Sequence, residues 1–433
     1  MFNIFLLILL YLPFQLALNP VSGVDLASIR VLILALFFVW LAQGLKKKSI
    51  QLNNNLQTWL VASFLFLNLF SALVARNSDW SVRKLLFLFS IFPIYFVASQ
   101  LISSRERLYK VVRVIVVSAS GIAVIGIVQF LLQFAIGWKS TFAFWAKFVI
   151  MPFLGSSFGE AVLKNPSWLV NIGGQTYLRA TSLFPDPHML AFYLGLSLPL
   201  AFWLMLYTDK RKKLAMLGCC LILIADLLTF SRGGYIGLSF GLIFVGIFFW
   251  KKIEHKYKIV TAGVLLAGLL IMLVPSPISQ RFVSSFDLQE GSNQGRLAMW
   301  EKATEVIAQH PLLGVGIGNY SLEVNPTATY RNSIYAHNTY LDIAVETGIV
   351  NMLVWLGILL VTGLGFLQKS KHENLFFFGA ISLVIFSVHS LVETAIYSPV
   401  VLTLFLIIIS FYNVETRHCL VSTGQAKQNE KIV

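Results

Sequence analysis

YAHNTYLDIAVETGIVNMLVWLG, residues 335–357, starts polar and ends as an apolar run of the kind that enters a membrane. It closes the longest polar stretch of the chain, from Ser276 to Val350, and carries His337, Asn338 and Glu346 at the point of re-entry. Outward from it the chain is dominated by apolar segments. About 30 Å of hydrocarbon requires roughly 17 to 25 apolar residues per helix. Runs of that length centre near Ile8, Leu36, Phe64, Phe92, Ile122, Leu196, Leu221, Gly241, Leu266, Val354, Leu383 and Phe405. With 57% hydrophobic and only 12% charged residues among 433, 36 of them Phe, and a mean hydropathy of +0.77, the composition excludes an ordinary soluble domain. The expected fold is all-α: a polytopic integral membrane protein of about twelve transmembrane helices with two long extracytoplasmic loops. The first run lacks a positive n-region and a small-residue cleavage site before Asn19, so it is expected to be a retained anchor.

A formal charge of +14 would suggest nucleic acid in a soluble protein. Here the positive residues fall in alternate loops, which explains the charge without nucleic acid. Lys46, Lys47 and Lys48 follow the second run; Arg105, Arg107 and Lys110 the fourth; Lys210, Arg211, Lys212 and Lys213 the sixth. Lys251, Lys252, Lys256 and Lys258 follow the eighth, Lys369 and Lys371 the tenth, and the tail carries Arg417, Lys427 and Lys431. Even-numbered spans are therefore expected to end in cytoplasm, as are both termini. Cys219 and Cys220 lie inside a span and Cys419 in the tail, so no disulfide framework is implied.

The whole chain, 1–433, reads as one membrane domain with a cytoplasmic tail at 414–433. Its first long outward loop, 138–188, holds FAFWAKFVIMPFLG (142–155), too short to span and expected to be re-entrant or interfacial. The second, 276–340, is expected to contain a helix from Asn293 to Gln309 and then a turn forced by Pro311, Gly314, Gly316 and Gly318. That glycine run follows a helix and not a strand, which argues against a Rossmann fingerprint.

The side chains that carry chemistry are arginines and histidines, without a cluster suited to metal. Arg232, in SRGGYIGL (231–238), sits in a tight turn at the outer surface, where arginine is disfavoured. Two readings stand: its guanidinium forks onto phosphate oxygens, or it snorkels to headgroups or pairs with Asp226. Arg179 and Arg296 carry the same two readings. His337 is either a helix-end residue or a base, its ordinary pKa of about 6.5 suiting it to accept a proton from a hydroxyl. Glu346, nine residues on, is too distant along one helix to be assumed its partner, and would orient another group or pack against a glycine turn. His389 and Glu393, four apart in the eleventh run, should share a helical face as a hydrogen-bonded pair or a proton relay.

RATSLFPDPHMLA (179–191), SRGGYIGL, the Arg296 to Trp300 spacing, HPLLGVGIGNY (310–320) and AHNTYLDIAVETGIV (336–350) follow in that order on outward loops. Together they resemble the O-antigen ligase and polymerase family of bacterial membrane glycosyltransferases, over residues 175–365. His188 departs from it, since the family often has Asn there. The resemblance implies transfer of a glycan from an undecaprenyl-diphosphate carrier to an acceptor hydroxyl on the outer face of the cytoplasmic membrane, without metal, nucleotide or other cofactor. By position, Arg179, Arg232 and Arg296 would hold the diphosphate, His337 would be general base, and Asn338 and Glu346 would support it. The partners implied are the lipid-diphosphate-linked donor, a glycan, lipid or protein acceptor, and membrane lipids, with no nucleic acid. Fixed guanidiniums can stabilise the departing diphosphate where other enzymes use a metal.

Ligase and polymerase need the same donor site, so the sequence leaves both open, along with any role for Arg281, Arg331, His389 and Glu393. The other class is a twelve-span transporter of small anions or solutes. Transporters usually place ionisable groups or broken helices near the midplane of two related halves, whereas the charged candidates here cluster at the outer surface and no halves repeat.

Overall fold

The computed structural model describes residues 1–433 except 22–23, 49, 51, 165, 209–210, 249–257, 259–262, 264–275, 288, 331–332 and 416–433. The expected span near Leu266, Arg331, Cys419, the positive residues Lys210, Lys251, Lys252, Lys256, Arg417, Lys427 and Lys431, and almost all of the tail lie outside the described residues. Among the described residues, six helices are long and apolar enough to cross a membrane. They are α2 (Ser28–Lys46), α3 (Leu56–Ser71) with the turn after it, α4 (Ser78–Ile91) continued by α5 (Pro93–Leu101), α6 (Arg105–Ile136), α10 (Pro187–Tyr207) and α17 (Ile349–Lys369). Shorter helices occupy other expected runs: α1 (Phe2–Tyr11), α11 (Lys212–Leu228), α12 (Arg232–Phe248), α18 (Leu375–His389) and α19 (Pro399–Ser410). The fourth run divides at Phe92 because Pro93 lacks the amide that a continuous helix needs.

The centre of the bundle is made by helices that are apolar all round. Every residue of α19 from Val400 to Ser410 is buried, as is most of α10, and α10 packs against α6, α11, α18 and α19. Outer helices instead present apolar side chains outward, among them Phe38 and Leu45 on α2, Leu131 and Phe134 on α6, and Leu360 on α17. Hydrocarbon accepts these surfaces, so packing rather than water exclusion must hold the helices together. Gly237 and Gly241 show how α12 and α18 meet. A Cβ at Gly237 would lie 2.9 Å from the Ile385 carbonyl oxygen, and one at Gly241 2.8 Å from the Ile385 side chain.

The loops are more structured than an all-α reading implies. A small antiparallel pair, β1 (Ala17–Val21) and β2 (Val24–Ala27), precedes α2. The first long loop starts with the short helices α7 (Trp138–Trp145), α8 (Met151–Leu154) and α9 (Ser156–Leu163), with Phe144, Phe148 and Phe158 exposed. It continues as a hairpin, β3 (Leu169–Ile172) with β4 (Gln175–Leu178), turned at Gly173 and Gly174, both with positive φ. The second holds α13 (Pro277–Val283), α14 (Gly291–Gln309) and α15 (Tyr320–Val324). Next, α16 (Thr339–Thr347) precedes α17 and is separated from it by Gly348 at φ +89°. Residues 335–357 thus form two helices where the sequence reads as one run.

Candidate active site

Several chain segments converge beside the N-terminal ends of α10 and α12. The first follows the β3–β4 hairpin. Arg179 is buried, and all three kinds of guanidinium nitrogen donate to backbone carbonyls: Nε to Thr229 at 2.7 Å, Nη1 to Ser167 at 2.8 Å and Nη2 to Phe230 at 3.3 Å. Burial and the neighbouring Arg281 charge lower its pKa to about 9. Arg179 therefore holds the turn between α11 and α12, where Phe230 has φ +50°, a region that a bulky residue leaves unless its surroundings fix it. Arg281 Nε donates to the same Phe230 carbonyl at 3.4 Å.

At the start of α10, Asp186 caps the helix by accepting from the amides of His188 and Met189. Burial pushes the Asp186 carboxyl up to about 6, reinforced by Glu393 and opposed by the two amides and Arg179. His188 Nδ1 lies 3.0 Å from Ser231 Oγ and 3.8 Å from Glu393.

Arg232 is buried at the first position of α12. The expected pairing with Asp226 is not made: Arg232 Nη1 pairs with Glu290 at 2.8 Å and donates to the Ser284 carbonyl at 3.2 Å, and Nη2 donates to Ser292 Oγ. Both Asp226 carboxylate oxygens are buried without a hydrogen-bond partner among the described residues. Glu290 also caps α14, accepting from the amides of Ser292 and Asn293, and lies 3.9 Å from Arg281. Gly233 leaves room for His389 and Val392, against which a Cβ would collide. That lets His389 Nε2 come within 3.4 Å of Ser231 Oγ while its ring stacks on Phe192 at 3.6 Å.

The segment before α16 meets the turn after α18 through His337 and Glu393. His337 Nδ1 is 2.7 Å from Glu393 Oε1, and Arg296 Nη2 is 3.5 Å from Glu393 Oε2. This corrects the expected pairing of Glu393 with His389. Helix α18 ends at His389, so Glu393 lies in the following turn, off the helical face. The His337 side chain is 48% exposed whereas that of Glu393 is 9% exposed, which makes the imidazole the open member of the pair. Burial opposes ionisation of Glu393, yet His337, His188 and Arg296 hold its carboxyl well below the usual carboxylate range. The Glu393 charge in turn raises the His337 pKa, against burial. An ionised Glu393 places the ring hydrogen on Nδ1, which leaves Nε2 as proton acceptor.

Of the expected site residues, the structure brings together His337, Arg296, Arg232 and Arg179, with Arg281 added. Asn338 caps α16, accepting from the amides of Tyr340 and Leu341. Glu346 is elsewhere in the arrangement: both oxygens accept from Lys84 at 2.7 and 2.8 Å, and Tyr397 donates to it at 2.7 Å. Glu290 and Lys84 were not singled out from sequence. Nothing in the residues around Glu290 announces it, but Lys84, a charge within an apolar run, is a signal that could have been read. Arg179, Arg232, Arg281 and Arg296 share this cluster with the carboxyls of Asp186, Glu290 and Glu393, and Asp342 lies behind His337. Among the described residues no group of three His, Cys, Asp or Glu could hold a metal ion.

The O-antigen ligase family model matches residues 217–356. The matched stretch contains Arg232, Glu290, Arg296 and His337, and leaves Arg179, His188 and Glu393 outside. No curated protein matches the chain.

Proposed function

We propose that this multi-pass membrane enzyme transfers a glycan from an undecaprenyl-diphosphate carrier to an acceptor hydroxyl on the outer face of the cytoplasmic membrane. The observation that carries the reading is the half-exposed His337 held through Nδ1 by buried Glu393, with Arg296 on the same carboxylate and Arg232, Arg281 and Arg179 in the adjoining cluster. In this reading His337 Nε2 takes the hydroxyl proton as the acceptor oxygen attacks the anomeric carbon, and Glu393 stabilises the imidazolium that forms. The bond from that carbon to the diphosphate oxygen breaks in the same displacement, which inverts the carbon. Negative charge grows on the leaving diphosphate, and Arg232, Arg296 and Arg281 stabilise it, the phosphate oxygens competing with Glu290 for Arg232. Arg179, whose three nitrogens each donate to a backbone carbonyl, contributes charge beneath the turn and keeps Arg232 in place. Asn338 caps α16, the helix that His337 precedes, and Glu346 ties that helix to α4 through Lys84.

The test is to incubate the purified, reconstituted protein with a lipid-diphosphate glycan and an acceptor and follow release of lipid diphosphate. Wild type is expected to release it, and His337→Ala, inserted and folded normally, to lose at least about a hundredfold in rate. Release by that variant at the wild-type rate would remove His337 from the mechanism. The length of the product then separates a ligase, which joins finished glycan to an acceptor, from a polymerase, which joins repeat units. No release by wild type across several donors and acceptors would leave the transporter as the reading.

A further inference from the structure

The His337–Glu393 pair joins two chain segments more than fifty residues apart, and a second, fully buried pair of contacts lies behind it. The amide of Ala336, just before His337, donates to Asp342 Oδ1 at 2.8 Å. The hydroxyl of Thr394, just after Glu393, donates to Asp342 Oδ2. One carboxylate thus holds both segments one residue away from the reactive pair. Thr339 adds a parallel link: its amide donates to the Ser390 carbonyl at 2.9 Å, its hydroxyl to the Glu393 carbonyl at 2.9 Å, and the Ala395 amide donates to that hydroxyl at 3.2 Å.

Such restraint is needed because His337 has φ +50°. A residue that carries a Cβ is strained there, so the backbone leaves that conformation unless its neighbours fix it. The side chain cannot do so alone, since it is the exposed member of the pair. We propose that Asp342 is a positioning residue for the transfer reaction, clamping Ala336 and Thr394 so that His337 keeps its left-handed backbone and its hydrogen bond to Glu393. The inference rests on the reading of His337 as general base. Loss of the clamp lets His337 swing off Glu393 without disturbing the arginines, so the rate of the chemical step falls while donor binding stays.

The charges that face His337 are Glu393 from the turn after α18, Arg296 from α14 and Asp342 from α16. Asp342 itself acts on the imidazole, so its removal alone would confuse charge with position. Thr394→Val separates them, because it deletes one arm of the clamp and no charge. Full-length protein labelled at histidine carbon is titrated by NMR in nanodiscs, with the His337 signal identified by its absence in His337→Gln, and turnover is measured on the same samples. Thr394→Val is expected to bring the His337 pKa down toward the ordinary value of about 6.5. It should lower kcat by about tenfold with donor KM within about twofold. Thr394→Ser, which keeps the hydroxyl, should restore both, and Asp342→Ala should act in the same direction as Thr394→Val and more strongly. A wild-type His337 titration in both Thr394→Val and Asp342→Ala would overturn the clamp. A lowered titration in them, with turnover unchanged in these variants and in His337→Ala, would support the clamp and sink the catalytic reading instead.

Discussion

In the proposed mechanism the hydrogen bond between His337 Nδ1 and Glu393 gives a half-exposed imidazole a defined direction as a base. Because the Glu393 charge raises the His337 pKa, the imidazole stays protonated to a higher pH than usual, and a base works only when neutral. The transfer rate is therefore expected to rise with pH through a midpoint above about 6.5. Replacing Glu393 with Gln removes the charge that favours imidazolium. The acid limb should then move to lower pH while the plateau rate falls, because a weaker base no longer has a carboxylate to stabilise its protonated form. A pH–rate profile of wild type and Glu393→Gln checks this, and an acid limb that stays in place would mean that His337 is not the titrating group. The proposed base was a candidate from sequence, where a histidine ahead of a membrane-entering run reads either as a helix-end residue or as a base. Its partner could not: four residues separate His389 and Glu393, and that spacing implies one face only if the helix continues, which it does not beyond His389.

Among the elements, α16 is the hub, and it is tied to α4 by the ion pair of Lys84 with Glu346. Lys84 Nζ lies 2.7 Å from Glu346 Oε1, 3.6 Å from the centre of the Tyr397 ring and 5.2 Å from that of Tyr335, and Tyr397 donates to Glu346. Tyr335 is two residues before His337 and Tyr397 four after Glu393, so this buried cluster underlies both segments of the site. Breaking one member leaves an uncompensated buried charge. Lys84→Met is expected to cost about 3–5 kcal/mol, and Lys84→Met with Glu346→Leu to recover a good part of it. Thermal unfolding in detergent compares the two, and equal stability of single and double variants would mean that the pair is not desolvated as its geometry implies. The glycines of residues 310–320 were legible as a turn, but its purpose was not. Gly314 and Gly348, both at positive φ, let the Pro311–Val315 segment lie against the break between α16 and α17, with Val315 donating to the Val345 carbonyl and Ile349 to that of Pro311, each at 2.9 Å. Local sequence gives the bend; only the fold supplies the surface that it meets.

At the scale of the molecule, apolar run length and the alternation of positive loops are strong signals because a bilayer allows few solutions. Eleven of the twelve expected runs coincide with helices, and the remaining one, near Leu266, lies outside the described residues. The two small hairpins were not legible, since strands of four or five residues without clear alternation leave no pattern to read. Orientation is the property that the proposed chemistry depends on most, because the donor and acceptor must meet on the outer face. Lys164, beyond α9 in the first long loop, and Lys212, at the start of α11, are both exposed and belong on opposite sides of the membrane if even-numbered spans end in cytoplasm. In a background without Cys219, Cys220 and Cys419, Lys164→Cys should react in intact cells with a thiol reagent that does not cross membranes. Lys212→Cys should react only after the cells are opened. Labelling of both from the same side would break the alternation on which the topology rests, and labelling in the reverse pattern would put the His337 site in the cytoplasm, away from an outward-facing lipid-linked donor.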